Sequence, residues 1–153
     1  MDLTELSRRL ENLIRIGTVL EVDHARVRCR VKSGELESDW LRWHTPRAGA
    51  TRTWDPPTVG EQAVMLSPSG EPANGLVFYG FNCTAHPAPS AQPELHGTDY
   101  PDGAIIYYDH ARSVYQVTLP VSGRIEFKVG RSTLTLTDAT TTLTTPAFEG
   151  VQS

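Results

Sequence analysis

Arg124-Ile125-Glu126-Phe127-Lys128-Val129-Gly130 and Ser132-Thr133-Leu134-Thr135-Leu136-Thr137-Asp138 alternate apolar and polar side chains from Arg124 to Val129 and from Thr133 to Thr137. In an extended backbone that alternation sends successive side chains to opposite faces. Ile125, Phe127 and Val129 therefore point one way, and Glu126 and Lys128 the other. Leu134 and Leu136 repeat the scheme against Thr133, Thr135 and Thr137, and Thr141-Thr142-Leu143-Thr144-Thr145 begins it again. Upstream, Ala104 to Asp109 and Ser113 to Pro120 read as further short strands between turn residues. Threonine suits a pleated, wet surface because its branched Cβ favours the extended chain. About five such strands in about 45 residues, with one or two large apolar side chains on each, give a single chain a very thin core.

Something must cover those faces, and two arrangements do so. Three copies wound about one axis would turn each stripe into the wall of a shared closed core without free edges. Stacked β units gain stability from their neighbours by the same logic. An antiparallel meander packed on the preceding domain is the other arrangement.

The chain has 153 residues, enough for one or two domains. Fourteen Lys and Arg stand against 18 Asp and Glu, a formal net charge of −4. This balance argues against a general binder of phosphate backbones. Cys29 and Cys83 form neither a zinc spacing nor a disulfide framework and are expected as buried free thiols. No run of about 20 apolar residues is present, and the N-terminus lacks the basic end and apolar stretch of a signal peptide. The expectation is synthesis in a cytoplasm without export by the usual route.

Residues 2–16 predict a short amphipathic helix. Asp2 and Glu5 resemble a capping box, and Leu3, Leu6, Leu10 and Leu13 follow the 3-4-3 spacing of a coiled-coil seam. That seam fits packing on the chain's own domain or contact with a partner subunit. Gly17 is expected to end the helix. Thr18 to Asp23 and Ala25 to Val31 then predict two strands around a turn at Asp23-His24, with further strands at Asp39–Trp43, Gln62–Ser67 and Gly75–Phe81. Five strands in about 65 residues suit a small closed barrel of the oligonucleotide/oligosaccharide-binding (OB) type.

Between those strands, Trp40, Trp43 and Trp54 are interleaved with arginines that include Arg47 and Arg52. Such a loop could stack single-stranded bases. It could equally supply barrel core residues and a long loop docked on a neighbouring chain, so these five residues are interface candidates. Prolines 87, 89 and 93 then mark an extended spacer. The expected organisation is helix 1–16, barrel 17–82, proline-rich linker 83–101 and C-terminal strands 102–153.

Gly17-Thr18-Val19, Glu21-Val22-Asp23, Cys29-Arg30-Val31, Gly34-Glu35, Trp40-Leu41, Pro46-Arg47-Ala48-Gly49, Arg52-Thr53-Trp54, Val59-Gly60-Glu61-Gln62, His86-Pro87-Ala88-Pro89 and Pro101-Asp102-Gly103-Ala104 run in order along the chain. With them the sequence resembles the baseplate assembly protein V family, the central spikes of contractile phage tails and of R-type phage-tail-like bacteriocins. The resemblance implies an all-β homotrimer: a short helix and an OB barrel docked on the tail hub, then an intertwined trimeric β-helix or β-prism spike. It implies a structural protein of the virion tail or tailocin particle, assembled in the host cytoplasm, whose spike pierces the target cell's outer membrane on sheath contraction. The side chains then expected along the spike axis are Ile106, Tyr108, Val117, Leu119, Ile125, Phe127, Val129, Leu134, Leu136 and Leu143. The partners implied are two further copies, the hub and baseplate proteins and, transiently, the outer membrane, with no nucleic acid.

Two departures from the family pattern shape the expectation. Spikes of this family often end in an apex where a His-x-His motif binds a metal, yet the last histidine here is His110. The tip is therefore expected to be missing or supplied by another chain, and no metal or cofactor is assigned. Some relatives carry a lysozyme domain between barrel and spike, for which a linker of about 20 residues has no room.

Catalysis would need a nucleophile beside a base, or paired carboxylates in a pocket. Asp23 with His24, Asp109 with His110, and Cys83 with His86 are the available pairs. The first two sit at turns, where Asp serves the backbone. His86, His96 and His110 fit no metal-ligand spacing. The expectation is a protein that is not an enzyme; the alternative reading is an OB-fold module that binds a nucleic acid, a polysaccharide or a protein.

Overall fold

The computed structural model describes residues 2–151. The chain divides between Ala88 and Pro89 into two compact units.

In the first unit, helix α1 spans Leu3–Leu13, and the Asp2 side chain accepts a hydrogen bond from the Thr4 amide at its start. The helix ends four residues before Gly17. Strand β1, Ile14–Asp23, follows without a loop, because the β-branched pair Ile14 and Ile16 enters the ladder with β5. Gly17 thus lies inside a strand and caps nothing. A Cβ there would stand 2.3 Å from the Lys32 carbonyl oxygen, so glycine lets the neighbouring strand approach.

Strand β2 covers Arg28–Ser33, β3 Leu36–Glu37, β4 Arg42–Trp43, β5 Gln62–Leu66 and β6 Leu76–Phe81. The second expected strand loses its first residues, for Val27 adopts φ 55° in the turn and cannot continue a ladder. The expected strand at Asp39–Trp43 is likewise reduced to β4 and a bridge at Leu41.

β1 pairs antiparallel with both β2 and β5, β5 with β6, and β6 runs parallel to β4. An antiparallel bridge between Cys29 and Leu41 returns the sheet to β2 and closes it into a ring. A bulge between Val19 and Glu21 bends β1 and shifts its parity, so Val19 and Val22, three residues apart, both reach the core. Val19, Cys29, Val31, Leu41, Ala63, Met65 and Val77 form that core, with Trp43 and Tyr79 packed against it.

The second unit has β7 Leu95–Asp99, β8 Ile105–Asp109, β9 Val114–Thr118, β10 Ile125–Val129, β11 Ser132–Leu136 and β12 Thr141–Thr144. They make two separate antiparallel sheets, β7-β8-β9 and β10-β11-β12. β7 falls within the stretch expected to be linker. Leu95-His96-Gly97-Thr98-Asp99 carries little apolar alternation; it is drawn into a strand by pairing with β8. Gly97 allows that pairing, since a Cβ there would meet the Tyr107 ring and the Ile106 carbonyl.

Candidate functional site

Register decides which side chains share a face, because direct cross-strand partners project to the same side. In the β10-β11-β12 sheet, Ile125 pairs with Leu136, Phe127 with Leu134, and Leu134 with Leu143. Ile125, Phe127, Val129, Leu134, Leu136 and Leu143 therefore form one apolar face. The opposite face holds Glu126, Lys128, Thr133, Thr135, Thr142 and Thr144. Half of the apolar face is exposed in the single chain: Phe127 is 62% exposed, Val129 83% and Leu143 50%, while Ile125, Leu134 and Leu136 are half-buried.

The β7-β8-β9 sheet repeats the arrangement. Ile106 pairs with Val117 and Tyr108 with Tyr115. Leu119 follows β9 and joins Ile106, Tyr100, Pro101 and Ala104 around a shallow apolar depression of about 530 Å³. In this unit Ala104 is the one buried hydrophobic residue among those described. All ten side chains expected along an axis thus lie on, or beside, two apolar faces, with Tyr108, Phe127, Val129 and Leu143 exposed and the other six half-buried. Tyr115, which stands directly opposite Tyr108, belongs with them; its place two residues before Val117 could have marked it.

The loop candidates gather on the barrel. Trp43 and Trp54 rings lie 6.1 Å apart, Trp54 lies 6.5 Å from His24, and the Arg26 guanidinium sits 4.8 Å over the Trp40 ring. A bridge between Ala48 and Arg52 folds the connecting loop back on itself, with the Thr45 and Thr53 hydroxyls 2.6 Å apart. Arg47 and Arg52 are exposed on this hairpin, and Trp54 is 61% exposed. The arginine that stacks is Arg26, which sequence reasoning did not single out.

A third surface is the leucine seam of α1, for which packing on the chain's own domain and contact with a partner subunit were both expected. Leu3, Leu6, Leu10 and Leu13 all remain exposed, as do Ile14 and Ile16. Helix α1 turns its backbone at Arg9 toward Gly70 and buries Asn12, so the leucine seam looks away from the barrel. Arg15 points inward instead, donating to the Asn12 side chain at 2.9 Å and to Ser33.

The pairs considered for catalysis have other occupations. Asp23 accepts from the Arg26 amide and guanidinium, which hold its carboxyl below the usual range. Asp109 accepts from the Ala111 and Arg112 amides, and Cys83 and His86 exchange backbone hydrogen bonds across a tight turn. Cys29 is a buried free thiol, pushed up to about 11 by burial, and Cys83 is free and half-buried. Among the described residues, no helix is long and apolar enough to cross a membrane and no three His, Cys, Asp or Glu side chains cluster as metal ligands.

The barrel, from β1 to β6, coincides with the stretch that matches a family model. Residues 15–81 match the injector OB domain of type VI secretion systems and phage baseplates. Over 117 residues, 76% of its length, the chain is 40% identical to the spike protein of Escherichia phage P2. Its barrel belongs to the baseplate injector OB-domain family. The aligned part spans 56% of the P2 protein's length. The injector-domain match over residues 15–81 gives the closed ring its class, an OB barrel, and 117 aligned residues exceed the 67 of that barrel, so the likeness to the P2 spike protein extends outside it.

Proposed function

We propose that this chain is the central spike of a contractile-tail baseplate: a structural protein, not an enzyme, acting as a homotrimer. One observation carries the reading. The β10-β11-β12 sheet holds six large apolar side chains on one face, of which Phe127, Val129 and Leu143 are exposed and Ile125, Leu134 and Leu136 half-buried. An exposed apolar face of that kind is removed from water by an interface. Three copies related by one axis bury it against itself, and the resulting β-prism stays folded under axial load because many interchain hydrogen bonds must shear together. In this reading the barrel attaches to the tail hub, and contraction drives the spike through the target's outer membrane. The exposed leucine seam of α1 and the Trp54 loop are the barrel surfaces available for the hub.

The experiment is absolute mass by light scattering after size exclusion. A mass near three times 16.9 kDa, unchanged on dilution, is expected. A monomer would sink the proposal.

A further inference from the structure

We propose that His96 and His110 form a cross-strand chelate for a divalent transition-metal ion of the zinc class. The two residues lie far apart in sequence, and antiparallel pairing cancels the separation. His96 stands opposite Tyr108 in the β7–β8 ladder. His110 follows two residues after Tyr108, on the same side of the strand. Its amide donates to the Glu94 carbonyl at 3.2 Å, which carries the pairing past the strand end. The imidazole centroids are 5.6 Å apart with planes inclined by 34°, and both residues are exposed in the single chain, on the face that also carries Tyr108.

Two imidazoles bound to one ion at about 2.0–2.1 Å per metal–nitrogen bond place their centroids about 4.5–5 Å apart. Rotation about the side-chain bonds covers the remaining distance, and the paired backbone need not move. His96 lies within β7, and His110, the first residue of the turn after β8, is held there by its amide hydrogen bond to Glu94. Asp109, next to His110 in sequence, has its Oδ1 committed to the amides of Ala111 and Arg112. With no third protein ligand clustered among the described residues of one chain, the same pair from another copy or water completes the coordination. Imidazole suits zinc, copper and nickel, and zinc avoids redox side reactions in a test. A cross-strand pair differs from a His-x-His motif, whose ligands sit on one strand.

Metal-stripped full-length chain titrated with zinc chloride by calorimetry, with imidazole NMR signals followed in parallel, tests the inference. The expected result is a saturable site of at most one ion per chain, with zinc shifting the His96 and His110 signals together. Loss of an outer-sphere partner already weakens metal sites about 10–100-fold, so His96→Gln and His110→Gln should each weaken binding at least about tenfold. His86→Gln should leave it unchanged. Circular dichroism establishes that the variants fold, and zinc should raise the melting temperature of wild type but not of either variant. Absence of saturable binding, or binding that both His96→Gln and His110→Gln leave within about twofold, overturns the proposal.

Discussion

Phe127 stands directly opposite Leu134 across the β10–β11 ladder, yet Phe127 keeps 62% of its surface exposed. Burying such a side chain is worth about 1.5–3 kcal/mol, so the pair represents stabilisation that one chain leaves unused. Replacing Phe127 or Leu134 by Asp in a trimer would gather three carboxylates near the axis, at a cost of at least about 3 kcal/mol per chain. The trimer should lose its resistance to heat and detergent on gels. Mutant trimers as durable as wild type would remove this row from the axis.

Gly17→Ala should destabilise the barrel by about 1–3 kcal/mol, the usual range for overpacking. The added methyl would meet the Lys32 carbonyl at 2.3 Å, and Lys32 is held by its pairing with Thr18. Gly49→Ala is the control, since its Cβ meets nothing within 4 Å and its φ is ordinary. Urea unfolding followed by tryptophan fluorescence measures both; equal midpoints would show that the strands can part without cost.

The two cysteines should differ in reactivity. Native protein should release about one thiol equivalent to Ellman's reagent, from half-buried Cys83, and Cys83→Ser should abolish it. Cys29, buried with its thiol pushed up to about 11, should react after unfolding in urea. Rapid labelling of Cys29 in native protein would mean that the barrel opens.

Glu5 gives the N-terminal helix an acid limit. Hydrogen bonds from Arg8 and Arg9 hold its carboxyl down to about 2 from 4.5. A depressed carboxylate contributes its full stabilisation above its unfolded value and loses it as pH falls through the folded one. Helix signals of residues 3–13 in NMR should therefore hold at pH 5 and fray progressively toward pH 2, less distinctly in high salt. Glu5→Gln should show weaker helix signals at pH 5 and little change below it.

Legibility followed the periodicity. β10 and β11 could be read almost residue by residue because one wet and one dry face impose strict alternation. β7 could not: His96, Gly97 and Thr98 carry no such pattern, and their strand exists through β8. Gly17 was misread because glycine ends helices and also admits close strands, and a linear sequence does not distinguish these uses. The apolar candidates were visible as a face in the alternation itself. The pairing of Trp43 with Trp54, and of His96 with His110, depends on contacts between residues distant in sequence, which local spacing does not encode. The outward seam of α1 was legible as a stripe but not in its direction, which Gly70 and Asn12 decide.

The bridge between Cys29 and Leu41 makes the barrel a hoop fastened by a clasp, held by two backbone hydrogen bonds of 2.9 and 2.8 Å. Leu41 is also one of the buried core residues, so the clasp cannot unfasten without pulling a side chain out of the interior. Local breathing at this point is thereby tied to loss of the whole core. The amides of Cys29 and Leu41 should exchange with deuterium as slowly as those of β5, deep in the sheet, although they belong to an isolated bridge.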